Sequence, residues 1–308
     1  MDFFNRTVRN IKSLKIQGAT NVALSAVKAL EWKARRIKYK DREKFLSSLE
    51  KYKQILIQTR PTEPLMRNII RYIFNSIKEK GASPKEMRSM IKISANEFFF
   101  NSKKAKERIA KIGARMIKKN TTVFTHCHSS TVIGILREAW KSGKKFEVIH
   151  TESRPRYQGH ITAKELTKIG IPTTMVVDSA ISTYIKDADM AIVGADVITA
   201  ESSLINKIGT SYLALASKRV GIPFFSAAVL TKFDSETVFG KVEEIEMRDP
   251  KEVWKNPPRK LKILNPAFDI TPRDLIGSYI TEEGLITPES ISEVVSKKYP
   301  WVFKGVKI

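Results

Sequence analysis

The sequence predicts an α/β protein in which a helical N-terminal domain, residues 1–120, packs on a Rossmann-like parallel-sheet C-terminal domain, residues 121–308. Three observations lead there. Apolar residues recur at three-and-four spacing through roughly the first 118 residues, and short β-branched runs alternate with helical ones from about residue 120. The excess of positive charge stops at the same place: residues 1–120 hold 30 Lys and Arg against 10 Asp and Glu, most of the net +23 of the whole chain.

The helical half reads directly from its periodicity. Val22, Leu24, Ala26, Val27, Ala29 and Leu30 form one apolar stripe, and Ile55, Leu56, Leu65, Ile69, Ile70 and Ile73 continue the pattern. Pro61, Pro64 and Pro84 punctuate it. Two connections are unusual. Ile16-Gln17-Gly18-Ala19-Thr20-Asn21 puts a glycine and a capping residue before an Ala/Val-rich helix, and Thr59-Arg60-Pro61-Thr62 holds an arginine in an extended pre-proline position. Each is either a plain capped loop or a helix N-terminus and guanidinium offered to a phosphate.

In the second half, strands are expected at 121–126, 146–151, 173–178, 190–193 and 223–229, with helices at 131–142, 161–169, 180–187 and 206–219. Ligands of such sheets bind beyond the carboxyl ends of the strands. The strand ends here read His126-Cys127-His128-Ser129-Ser130, then Thr151-Glu152-Ser153-Arg154-Pro155-Arg156-Tyr157-Gln158-Gly159, then Asp178-Ser179-Ala180, then Gly194-Ala195-Asp196 followed by Asn206-Lys207-Ile208-Gly209-Thr210. Together they supply a thiol in Cys127, carboxyl groups in Glu152, Asp178 and Asp196, and cations in Arg154 and Lys207. A thiol at a helix N-terminus is either a small buried apolar residue or an acid/base group. Asp196 is either a cap or partner of Lys207, or half of an acid/base pair with Cys127 acting on a phosphorylated sugar.

Composition narrows the classes. A chain of 308 residues, 42% apolar, buries a sizeable core, and a single cysteine excludes an intrachain disulfide. Neither a signal-peptide pattern nor an apolar run of roughly 18–20 residues is present, so a cytoplasmic protein without membrane contact is expected. The basic surplus favours phosphate-rich partners: RNA, nucleotides or a phosphorylated substrate. No zinc-ligand spacing and no P-loop accompanies it.

The motifs at 126–129, 152–159, 194–196 and 206–210 resemble a superfamily that holds the regulatory alpha, beta and delta subunits of translation initiation factor 2B, methylthioribose-1-phosphate isomerases and archaeal ribose-1,5-bisphosphate isomerases. Gln17-Gly18-Ala19, Arg60-Pro61-Thr62, Glu246-Met247-Arg248-Asp249-Pro250 and Asn265-Pro266-Ala267-Phe268-Asp269 extend the resemblance over nearly the whole chain. It is nearest to the archaeal ribose-1,5-bisphosphate isomerases.

The resemblance implies a catalytic C-terminal domain in which Cys127 moves a proton between C2 and C1 of an opened sugar phosphate and Asp196 protonates the ring oxygen. It implies substrate contacts at Gln17, Gly18, Arg60, Ser129, Arg154, Gln158, Asn206 and Lys207, with no metal and no cofactor. Two positions depart from the pattern: Gln17 stands where the isomerases carry Arg, and Ser130 where the archaeal enzymes carry Lys. The expected assembly is a homodimer or homohexamer with AMP as an activator, working in nucleotide salvage. The alternative it implies is a regulatory subunit that binds initiation factor 2 or RNA.

Overall fold

The computed structural model describes residues 1–79, 81–240 and 244–304. The chain opens with helices α1 (Phe3–Lys12), α2 (Ala19–Ala34), α3 (Arg42–Ile57), α4 (Pro64–Glu79) and α5 (Pro84–Met116). Local chemistry sets their starts. Asp2 and Asp41 accept the backbone N–H groups of Asn5 and Lys44, each at 2.8 Å. Ser83 and Glu86 form a reciprocal capping box, with Pro84 following at the first helical position. Phe4, Val22, Leu30, Phe45, Ile69, Ile73, Met87 and Phe98 close the core of this layer.

Next come β1 (Thr122–Thr125), α6 (Ser130–Lys141), β2 (Glu147–Thr151), α7 (Gly159–Ile169), β3 (Thr173–Val176), α8 (Ile181–Tyr184) and β4 (Met190–Val193). They are followed by β5 (Val197–Ile198), β6 (Leu204–Lys207), α9 (Thr210–Val220) and β7 (Phe224–Ala227). The chain closes with β8 (Phe268–Thr271), β9 (Ser278–Thr281), β10 (Gly284–Ile286) and α10 (Ile291–Lys298). Seven strands form one sheet in the order β10-β9-β7-β4-β1-β2-β3, parallel except for the hairpin strand β10. Strand order reverses between β1 and β4, so a crevice opens at their carboxyl ends. The α/β class and the helical N-terminal region agree with the expectation.

Helix α5 ties the layers together. Its first half packs in the helical core through Ile91, Ala95 and Phe98, and its second half lies on α6, with Ile109 and Ala114 beside Val123, Ile133 and Leu136. Gly113 permits that approach, because a methyl group there would come within 2.6 Å of the Ile135 side chain. The C-terminal segment returns to the same junction, where Trp301 stacks edge-on against Tyr72 at 5.1 Å and Phe98 at 6.0 Å.

The 206–219 stretch departs from the helix expected there. Asn206 and Lys207 belong to β6, which pairs antiparallel with β5 and β8 in a small three-stranded sheet, and the helix begins only at Thr210. The reason is Gly209. Its φ of +103° breaks the chain between strand and helix, and Asp269 of β8 receives the freed N–H groups of Gly209 at 2.7 Å and Ser211 at 3.1 Å. Periodicity cannot show a cap supplied from sixty residues away.

Candidate functional site

The crevice is built where β1 and β4 end side by side. Ser129, the N-cap of α6, lies so close to Gly194 that a methyl group on that glycine would sit 2.6 Å from the Ser129 hydroxyl. The His126–Ser129 turn and the Gly194–Asp196 turn are therefore in contact. The Asp196 amide donates to Ile205 O at 3.0 Å, which brings β6, with Asn206 and Lys207, to the same rim. Asn206 is buried and donates to Thr210 Oγ1 at 3.0 Å, while the Lys207 ammonium lies over the Phe268 ring.

Cys127 sits at the centre with φ +65°, an uncommon backbone for a residue with a side chain. A chain of hydrogen bonds holds it there. The Cys127 amide donates to Ser153 Oγ at 2.9 Å, Ser153 Oγ to Thr151 Oγ1 at 3.1 Å, and Thr151 Oγ1 to His126 Nδ1 at 2.5 Å. The direction follows from the far end. His126 Nε2 faces the carbonyl of Ile208 at 2.8 Å and must carry the hydrogen, which leaves Nδ1 as the acceptor. His126 is 1% exposed and burial lowers its pKa, so its ring stays neutral and structural. Gly209 is part of the same device, since a Cβ there would press to 3.0 Å on the imidazole.

The thiol itself is half-buried, and burial pushes its pKa up to about 11. The Lys207 ammonium and the His128 backbone N–H pull it down, while the carboxylates of Asp196 and Asp178 add to the rise. Alkylation of Cys127 by iodoacetamide is therefore expected to be slow near neutrality and to accelerate about tenfold per pH unit up to about pH 10. Lys207→Met should slow it further at any one pH, because the cation that favours the thiolate is gone. A pH-independent rate, or a faster one in the variant, would contradict this electrostatic account.

The other expected residues divide into two groups. Arg60 is 6% exposed and stands between two carboxylates, with Glu63 at 3.7 Å and Glu246 at 3.4 Å. Gln158 opens α7 with a buried Oε1 that has no hydrogen-bond partner among the described residues. Gly18 is the N-cap of α2 at φ +80°, and no side chain among the described residues caps that helix start. Two groups are already engaged elsewhere. Gln17 donates its amide to Leu14 O at 2.8 Å, and Arg154 is exposed, held by the Tyr157 hydroxyl and, at 3.1 Å, by Val253 O. Asp178 is a structural carboxylate that accepts the backbone N–H groups of Ser153 and Arg154 at 2.8 and 2.6 Å. Glu152 is half-buried at the head of that loop.

Sequence reasoning missed Glu63, Lys106 and Lys232. The turn after β7 presents Lys232, whose ammonium donates to Ala195 O beside Asp196. Lys106 of α5 donates to Thr20 Oγ1 at 2.9 Å, and burial together with the charge of Lys232 lowers its pKa to about 8. Those two cations link the Gly18 turn to the β4 end. The fifth strand end, at Ala227, was the signal for Lys232; Lys106 lies mid-helix, where only tertiary contact reveals it.

Among the described residues, no group of His, Cys, Asp and Glu is arranged to hold a metal ion, and no helix is long and apolar enough to cross a membrane. The chain is 40% identical over 302 residues to a ribose 1,5-bisphosphate isomerase of Thermococcus kodakarensis, covering 96% of this chain and 94% of that one. It is likewise 40% identical over 306 residues to a ribose 1,5-bisphosphate isomerase of Methanocaldococcus jannaschii, covering 99% and 98%. Its fold matches the crystal structure of a translation initiation factor eIF-2B from Pyrococcus horikoshii OT3, with a TM-score of 0.80 at 31% identity over 94% of this chain and 98% of that one. The Initiation factor 2 subunit family matches residues 15–288, most of the chain, and the chain belongs to that family.

Proposed function

We propose that the protein is a sugar-phosphate isomerase that converts ribose 1,5-bisphosphate to ribulose 1,5-bisphosphate. The observation that carries the reading is the meeting of Cys127 and Asp196 at the β1/β4 switch point, with Lys207 beside the thiol. The relatives named ribose 1,5-bisphosphate isomerase support it at 40% identity over nearly the full chain.

The chemistry follows from the substrate. While its anomeric oxygen carries phosphate, the sugar cannot open to a free aldehyde, so an acid and a separate base are both required. Asp196 gives a proton to the ring oxygen, and the electrons of the C1–O bond go to that oxygen. Cys127, as thiolate, takes the C2 proton, and the electrons of the C–H bond form a C1–C2 double bond. The thiol then returns the proton to C1, and the C2 hydroxyl yields its own proton to Asp196 as the ketone forms. Each group ends as it began, and no electrons leave the sugar. Arg60, Lys106, Lys207 and Lys232 supply the positive charge that two phosphates need, with the open N-terminus of α2 at Gly18. Ser129, Gln158 and Asn206 supply neutral polar groups at the rim.

Turnover of α-ribose 1,5-bisphosphate by the purified protein, followed by phosphorus NMR with and without AMP, tests the reading. Formation of ribulose 1,5-bisphosphate with little reaction of methylthioribose 1-phosphate is the expected result. Inertness towards the bisphosphate under both conditions would refute it. Sedimentation of the same sample tests the homodimer or homohexamer that goes with the reading.

A further inference from the structure

The His126 network accounts for one backbone group of Cys127, its amide, which donates to Ser153 Oγ. The carbonyl of the same residue has a different anchor. Thr162 of α7 is 1% exposed, and its hydroxyl donates to Cys127 O at 2.9 Å. The imidazole of His128 reaches that hydroxyl from the other side, with Nδ1 3.2 Å from Thr162 Oγ1. A hydroxyl has one hydrogen, and Thr162 gives it to the carbonyl, so Nδ1 of His128 must carry the hydrogen of their contact. It carries that hydrogen in this neutral tautomer and in the imidazolium alike, so the hold on Thr162 does not depend on the charge of the ring. Nε2 faces Glu165 Oε1 at 3.7 Å, and the other oxygen of that carboxylate lies 3.3 Å from Arg137 Nη2.

The carbonyl of Cys127 and the amide of His128 are two ends of one peptide unit. The unit is planar and trans, so its C=O and N–H point opposite ways, and anchoring the oxygen on Thr162 fixes where the N–H points. That N–H is directed at the Cys127 sulfur, where it favours the thiolate. A carbonyl that accepts a hydrogen bond also polarises its peptide and strengthens the N–H as a donor. Thr162 is the one group among the described residues that donates to Cys127 O, and the φ of +65° at Cys127 is costly for a residue with a side chain. The anchor therefore holds a strained peptide in the one orientation that serves the sulfur.

We infer that Thr162, steadied by His128, is a positioning residue that aims the peptide N–H of His128 at the Cys127 sulfur. The consequence for turnover rests on the isomerase reading; the effect on the thiol does not. Lys207, Asp196 and Asp178, the charged groups that act on the thiol, stand on other elements and keep their places when residue 162 is changed.

Alkylation by iodoacetamide, read by mass spectrometry on the full chain, tests this without any substrate. Cys127 is the single cysteine, so the signal has one source. Thr162→Val keeps the shape of the side chain and removes the hydroxyl. At each pH below the titration of the thiol it should slow alkylation about three- to tenfold, the worth of one neutral hydrogen bond, and Thr162→Ser should recover most of the rate. His128→Leu should slow the reaction in the same direction, and His128→Asn, whose amide donates from near the place of Nδ1, should recover it. Unfolding would expose the thiol and speed its reaction, so circular dichroism accompanies each variant. Alkylation of folded Thr162→Val at the wild-type rate or faster, or no recovery in Thr162→Ser, would overturn the inference whether or not the protein is an isomerase. If Thr162→Val does not fold, the His128 pair is judged by the same two criteria. Where ribose 1,5-bisphosphate is turned over, Thr162→Val should lower kcat by a similar factor with KM little changed, and Thr162→Ser should restore it. An unchanged kcat would overturn the role in turnover.

Discussion

Cys127→Ser and Asp196→Asn are each expected to lower turnover of ribose 1,5-bisphosphate by about a thousandfold or more, with the fold intact. A serine hydroxyl is a far weaker acid than a thiol, so it cannot become a base for the C2 proton at accessible pH. The backbone that holds residue 127 is fixed by Ser153, Thr162 and the His126 network, none of which bonds to the sulfur. The substitution therefore removes chemistry and leaves geometry. Asp196→Asn removes the acid while its backbone amide stays on Ile205 O. Because one group deprotonates carbon and the other protonates oxygen in the same conversion, the double variant should be scarcely slower than either single one. Kinetics on the three variants, with circular dichroism to verify folding, checks this. A tenfold or smaller loss in Cys127→Ser would remove the thiol from the mechanism.

Gly159→Ala is expected to be the most damaging small substitution in the β2–α7 segment. A methyl group at this buried position would lie 2.0 Å from the carbonyl oxygen of Thr151 and 2.8 Å from the Cα of Glu152. Those atoms are backbone at the end of β2, paired on both sides by β1 and β3, so no rotamer change relieves the clash. The loop from Glu152 to Gln158 must instead move, and the Ser153 hydroxyl that receives the Cys127 amide moves with it. Overpacking that displaces backbone costs about 3 kcal/mol or more, which should lower the denaturant midpoint and the activity together. Gly221→Ala is the control: nothing among the described residues lies within 4 Å of its Cβ, although its φ of +78° carries a smaller strain. Equal midpoints for Gly159→Ala and wild type would show that the loop yields more easily than its burial implies.

The charge at the crevice gives the departures at Gln17 and Ser130 a physical setting. Gln17 offers no cation, but Lys106 reaches the same helix start from α5, at Thr20. Such a substitution is invisible to motif reading, because the replacing residue is eighty-nine positions away and on another element.

By itself the sequence determined the α/β class, the helical first half, the five parallel strands and the polar turns that end four of them, because alternation and periodicity are local consequences of backbone geometry. It also determined that Cys127 and Asp196 would sit at strand ends, whereas it placed Lys207 in a helix. Only the tertiary structure decided which strand ends touch. That Gly194 lets Ser129 close on it, that Asp178 is occupied by backbone N–H groups from the next loop, and that Glu63 is sealed against Arg60 are facts about packing between segments. The small β5-β6-β8 sheet was lost for the same reason. A strand of four residues whose partner lies some sixty residues on, and whose helix cap comes from that partner, carries no periodic signal of its own.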